Sequence, residues 1–160
     1  MTQGANPANG NGIALQGLKI LDTSQLFAGA MPATLMGDFG AEVIKVESPG
    51  RGDAMRHWGH HLYKGRSLWW PILARNKKTV SANLREKRGQ DLVRRLIETA
   101  DVLVENFRPG TLDRMGLDPG ALKALNPRLI VASVNGYGSS GPYVDRPAFD
   151  FIAQAMSGFM

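Results

Sequence analysis

Short apolar runs recur along the chain with room for one helix between successive runs, and this alternation restricts the fold more than any other feature. Leu18-Lys19-Ile20-Leu21-Asp22 predicts a first strand, and the small-residue stretch from Met31 to Phe39, closed by Gly40, predicts a helix. Glu42 to Glu47 predicts a second strand and Thr79 to Asn83 a third. Between Lys87 and Thr99, Leu92, Val93, Leu96 and Ile97 share one helical face while Arg88, Arg94, Arg95 and Glu98 share the other, as in an amphipathic surface helix. Asp101 to Glu105 predicts a fourth strand, Asp118 followed by Pro119 opens another helix, and Leu129 to Val134 predicts a fifth strand. Strands separated by helices need crossover connections, so the expected class is α/β with a mostly parallel sheet and flanking helices.

The remaining properties bound the setting. A chain of 160 residues with 43% apolar content fits one domain and can bury roughly two thirds of its unfolded surface, which excludes disorder throughout. It has no cysteine, so disulfides, thiolate zinc sites and cysteine nucleophiles are excluded, and a cytoplasmic location is expected. No run of about 18 apolar residues exists to span a bilayer, and the polar N-terminus lacks the features of a signal peptide. Residues 1–16 are expected to be a disordered lead and residues 17–160 the folded domain. The formal net charge of +5 favours anionic partners without separating nucleic acids from phosphate-bearing small molecules. The stretch from Ser48 to Lys78 is long for a connection and predicts a functional loop or short helices of its own. An apolar helical face on Phe149, Ile152, Ala153 and Met156 runs to Met160 without a polar exit, so the domain is expected to be incomplete.

Several short motifs have bland readings. Gly136-Tyr137-Gly138-Ser139-Ser140-Gly141 matches a dinucleotide-binding pattern after a strand, but Pro142 and Pro147 crowd the place of the helix that should follow. A glycine-rich loop at the sheet's C-terminal edge is the preferred reading. His57, His60 and His61 lack a carboxylate partner at ligand spacing and read as solvated, so no metal is assigned. Arg51-Gly52-Asp53 reads as a turn. Trp58, Trp69 and Trp70 read as packing residues under the long loop, with stacking on a base as the alternative. Arg75, Lys77 and Lys78 precede the third strand, and Arg85, Lys87 and Arg88 follow it; Arg108 and Arg114 follow the fourth. Residues after strands of a parallel sheet share its C-terminal edge, where guanidinium groups suit phosphate oxygens. Arg88, Arg94 and Arg95 read as ordinary solvated surface.

The phrase Glu105-Asn106-Phe107-Arg108-Pro109-Gly110-Thr111-Leu112-Asp113-Arg114-Met115-Gly116 resembles the family III CoA-transferases, the CaiB/BaiF family that also includes formyl-CoA transferase and α-methylacyl-CoA racemase. Further blocks match in order from Gly17 to Met160: Gly17 to Asp22, Gly37 to Glu47, Arg75-Asn76-Lys77-Lys78, Leu125 to Ile130, and Gly136-Tyr137-Gly138 with Gly141-Pro142-Tyr143. The resemblance implies the N-terminal part of a Rossmann-like large domain that binds CoA. Carried over by position, the implied CoA contacts are Gln25, Leu26, Phe27 and Ala28 after the first strand, and Ala82 and Arg85 after the third. Asn106, Phe107, Arg108 and Arg114 after the fourth complete the set. Phe107 offers an apolar surface beside the adenine. Ser48 follows Glu47 where some members carry arginine, so no phosphate contact is assigned there.

The family chemistry needs an aspartate nucleophile that lies beyond Met160, so no catalytic residue is assigned within the chain. Asp150 aligns instead beside the position of the racemase histidine, which is Phe149 here; phenylalanine moves no proton, and racemase activity is disfavoured. The expected function is transfer of CoA from an acyl-CoA donor to a carboxylic acid acceptor, with CoA as substrate and no permanent cofactor. A non-catalytic module that binds CoA or another nucleotide is the alternative. The expected partners are CoA thioesters, carboxylic acids and a second copy in an interlocked homodimer, with neither nucleic acid nor membrane.

Overall fold

The computed structural model describes residues 13–60 and 62–160, so the lead expected over residues 1–12 lies outside it. In chain order the elements are β1 (Lys19–Asp22), α1 (Ala30–Asp38), β2 (Glu42–Glu47), β3 (Leu62–Tyr63), β4 (Arg66–Ser67), α2 (Trp69–Ala74), β5 (Lys77–Ser81), α3 (Lys87–Ile97), β6 (Val102–Glu105), α4 (Thr111–Arg114), α5 (Pro119–Leu125), β7 (Ile130–Ser133) and α6 (Asp150–Ser157). A 3-10 turn at Ala54–Arg56 and the β3-β4 hairpin occupy the long stretch after β2. The main sheet runs β5-β2-β1-β6-β7 with every neighbouring pair parallel. This is the expected α/β sheet, with β1 at its centre.

Alternation along the strands explains why both faces are covered, because successive side chains point to opposite sides. Leu21, Val46 and Leu103 pack on one face with Val93 and Ile97 of α3 and Leu122 of α5. Ile20, Val43 and Val104 pack on the other with Ala33 of α1. Fully burying each large aliphatic side chain contributes about 1.5 to 3 kcal/mol, so the fold rests on the central strands β2, β1 and β6. Small residues on α1 let it lie close to the sheet, and the single hydroxyl proton of Thr34, with Leu73 O at 2.7 Å and Ala30 O at 2.9 Å from Oγ1, ties α1 to α2.

Two boundaries differ from expectation. Residues 13–16, counted in the lead, form a turn in which Leu15 N–H donates to Phe39 O at 2.8 Å and the Leu15 side chain packs on the α1 face. The third main strand starts at Lys77, not Thr79, because the parallel pairing with β2 already takes in Lys77 opposite Val43 and Lys78 opposite Ile44; both lysine charges find carboxylates there, Lys77 Nζ meeting Asp22 Oδ2 at 2.8 Å and Lys78 Nζ meeting Glu42 Oε1 at 2.7 Å.

Candidate functional site

The chain leaves β1 through α1 toward β2 and leaves β6 through α5 toward β7, so the connections diverge on either side of the β1-β6 pair. In open α/β sheets such a divergence opens a crevice at the carboxyl ends of the strands. Residues 23–29 form one wall and residues 106–110 the other. Asn106 joins them: its Oδ1 accepts from Gln25 N–H at 2.8 Å and its Nδ2 donates to Gln25 O at 2.7 Å. Gly29 is buried in the same corner, where a Cβ would fall 2.3 Å from Ser24 Cβ and 3.2 Å from Asn106 Cβ.

Buried charges hold the first wall. Asp22 Oδ1 accepts from the backbone N–H and the hydroxyl of Ser24, while Asp22 Oδ2 meets Lys77 Nζ. Lys45 faces Asp22 in the strand register, donates to Ser24 O at 2.8 Å, and lies 2.8 Å from Asp53 Oδ2 and 3.7 Å from Asp22 Oδ2. Two lysines and two aspartates thus balance in a site from which water is nearly excluded, and removing one partner of such a set costs about 3 to 5 kcal/mol. Burial pushes the Lys77 ammonium below its usual range, and the Asp22 charge and hydrogen bond offset part of that shift. Glu47 lies beyond, accepting from Arg56 Nε at 2.7 Å, from Arg56 Nη2 at 2.8 Å and from Asp53 N–H at 2.9 Å. Burial pushes its carboxyl up, but these donors and the nearby cations leave it below its ordinary value.

The residues singled out by resemblance fall in three places along the C-terminal edge. Gln25, Phe27 and Ala28 are exposed on the first wall, where the Phe27 ring meets Trp69 edge-on at 5.8 Å, and Leu26 is half-buried with φ of 60°. Asn106 and Phe107 are half-buried on the second wall, and Phe107 N–H donates to the buried Glu105 carboxylate at 2.8 Å. Arg108 is exposed and lines a cleft of about 580 Å³ with Phe107, Leu112, Leu122, Asn126 and Val131. Arg114, on α4, donates to Thr111 Oγ1. Ala82 and Arg85 follow β5, three strand spacings or about 14 Å from β6. The Ala82 methyl is buried in the core, whereas the Arg85 side chain is exposed. Among the described residues, Arg85, Arg108 and Arg114 have no carboxylate partner within 4.0 Å.

Other clusters take different roles. Arg75 is committed to Asp38, with Nη2 2.6 Å from Oδ2, so Arg75, Lys77 and Lys78 all serve ion pairs within the fold. Arg94 is half-buried and donates to Gly116 O, so it is not plain solvated surface. Trp58 and Trp69 are 52% and 44% exposed, contrary to the packing expected of them; Trp70 stacks under the Arg56 guanidinium, 3.9 Å from its ring centre. The glycine-rich loop follows β7 at the same edge and leads into no phosphate-binding helix, since the next helix starts at Asp150. His57 and His60 are exposed, and His61 lies outside the described residues. Phe149 is 74% exposed at the start of α6. The sequence places Asp22 and Lys45 on strands and Asp53 in a turn without showing that they pair, although a lysine inside Val43-Ile44-Lys45-Val46 is a visible sign of a buried, paired charge.

The family model for CoA-transferase family III matches residues 15–160. Succinyl-CoA–D-citramalate CoA-transferase of Chloroflexus aurantiacus is 53% identical over 144 residues, covering 90% of this chain and 36% of that protein. Succinyl-CoA:glutarate CoA-transferase of Mus musculus is 42% identical over 146 residues, covering 91% and 34%. A crystal structure of a CaiB/BaiF family protein from Brucella suis superposes with a TM-score of 0.86 at 42% identity, covering 93% of this chain and 40% of that one. The chain therefore spans little more than a third of the length of the curated relatives it matches.

Proposed function

The chain belongs to CoA-transferase family III, and from that premise we propose that the protein transfers CoA from an acyl-CoA donor to a carboxylic acid acceptor, this chain supplying much of the CoA site. One observation carries the reading: the crevice at the β1-β6 divergence is locked by Asn106 on Gln25, and the segment that runs on from Asn106 carries Arg108 and Arg114, neither paired with a carboxylate among the described residues. The pyrophosphate and 3′-phosphate of CoA suit such guanidinium groups. A ligand as long as CoA also reaches from Asn106 toward Arg85 along the sheet edge.

In this reading Gln25, Leu26, Phe27 and Ala28 touch the CoA moiety, Ala82 offers backbone only, and Phe107 lies beside the adenine. The family nucleophile is an aspartate with no counterpart assigned in this chain. Its carboxylate attacks the donor thioester carbonyl and expels CoA thiolate, leaving a mixed anhydride. The thiolate then attacks the aspartyl carbonyl, giving an aspartyl thioester and releasing the donor acid. The acceptor carboxylate repeats the sequence in reverse and leaves as the new thioester. The named relatives favour succinyl-CoA as donor and a dicarboxylic acid as acceptor. A cytoplasmic, homodimeric enzyme is consistent with this chemistry.

Titrating the full-length protein with CoA and with a short oligonucleotide at two salt concentrations tests the site, and incubation with succinyl-CoA and dicarboxylic acids tests the reaction. Saturable CoA binding with a shallow salt dependence and transferred CoA are expected. A steep salt slope with no preference for CoA would instead indicate a nucleic-acid site. CoA binding without transfer to any acid would favour the non-catalytic module.

A further inference from the structure

We propose that Asp53 is a positioning residue that holds the ligand loop after β1 in its receptive shape, an inference that rests on the CoA reading of that loop. Asp53 closes the Arg51-Gly52-Asp53 turn, yet its side chain is buried and points inward, not toward a partner in solvent. Gly52 has φ of 68°, and a Cβ there would fall 2.6 Å from Glu47 Oε2, so the turn is pressed against the end of β2. Glu47 receives the Asp53 N–H and is itself gripped by Arg56.

From this anchor the Asp53 carboxylate reaches the loop by two routes. Oδ1 accepts from Leu26 N–H at 3.2 Å as well as from Met55 N–H at 2.9 Å. Oδ2 makes an ionic contact with Lys45 Nζ, which donates to Ser24 O. Three consecutive residues are then fixed from three directions: Ser24 by Asp22 and Lys45, Gln25 by Asn106, and Leu26 by Asp53. Leu26 needs that hold, because a leucine at φ of 60° occupies a left-handed conformation that is unfavourable unless its surroundings impose it. With the backbone fixed, Gln25, Phe27 and Ala28 stay outward, and a ligand meets a surface already ordered.

Asp53→Ala and Asp53→Asn in the full-length protein separate positioning from general stability. Both lose the charge that pairs with Lys45, so both should melt at lower temperature. Only Ala also loses the acceptor for Leu26 N–H. Hydrogen exchange over residues 24–28 should therefore accelerate in Asp53→Ala and stay near wild type in Asp53→Asn, with β1 and β6 protected in both. CoA affinity should fall about tenfold or more in the Ala variant and recover to within about threefold in the Asn variant. Unchanged exchange over 24–28 in Asp53→Ala, or equal losses of affinity in the two variants, would overturn the proposal. If the wild-type protein does not bind CoA, the proposed function fails on its own, and the exchange comparison still decides whether Asp53 holds the loop.

Discussion

Asn106 takes both backbone hydrogen-bonding groups of Gln25, accepting at 2.8 Å and donating at 2.7 Å, so a side-chain amide continues the β1-β6 pairing where the two strands part. Each wall of the crevice is thereby set by the other. Asn106→Ala should cost about 1 to 3 kcal/mol through the unsatisfied groups of Gln25, and weaken CoA binding in parallel. Urea unfolding checks the first and calorimetric titration the second. Asn106→Asp, which keeps the acceptor and loses the donor, should fall between for stability.

Arg108→Ala and Arg114→Ala should each lower CoA affinity by roughly ten- to hundredfold, the equivalent of a charge-assisted hydrogen bond worth about 1.5 to 3 kcal/mol. Neither should unfold the protein, since both side chains are exposed. Titration with CoA and with CoA lacking the 3′-phosphate identifies which phosphate each arginine serves. Unchanged affinity in both folded variants would remove them from the site.

Close packing constrains two glycines, against backbone at Gly89 and against side chains at Gly29. A Cβ at Gly89 would fall 2.0 Å from Asn83 O, where α3 lies on the loop after β5, and one at Gly29 would collide with Ser24. Gly89→Ala and Gly29→Ala should each destabilise by about 1 to 3 kcal/mol or more, since backbone must shift to make room. Thermal melting checks both. Only Gly29→Ala should also lower CoA affinity in protein that remains folded.

The broad plan was legible because hydrophobic alternation and helix caps are local signals. Asp118, predicted as a cap, does accept from Gly120 and Ala121 N–H, and the five main strands follow one another in the predicted order. The support beneath the crevice was not legible, because it depends on register. Asp22 opposite Lys45 is a fact of β1-β2 pairing, and Lys77 reaches Asp22 from a strand 55 residues away. Arg75 and Lys78 looked available for the same reason: nothing local announces Asp38 and Glu42 as their partners. The gap between Trp58 and Trp69 as expected and as found has a similar origin, since aromatic content alone does not say which face of the hairpin and α2 is covered.

Glu47 should make stability fall on the acid side. Its carboxyl titrates below its ordinary 4.5 in the folded protein, because the Arg56 and Asp53 donors outweigh burial. The folded state then binds fewer protons than the unfolded state just below that value, so the contribution is full above about pH 4.5 and is lost as pH falls through the lowered pKa. Glu47→Gln should be less stable at neutral pH and show a shallower acid limb. Chemical denaturation from pH 3 to pH 7 checks the sign; equal slopes for both proteins would contradict it.

The most direct test of the proposed CoA crevice is to irradiate the full-length protein with a photoreactive CoA analogue and locate the adducts by peptide mapping. Adducts within residues 23–29 and 105–114, suppressed by excess CoA, are the predicted result. Labelling confined to the glycine-rich loop at 136–141, or labelling that excess CoA leaves untouched, would contradict placing CoA between β1 and β6.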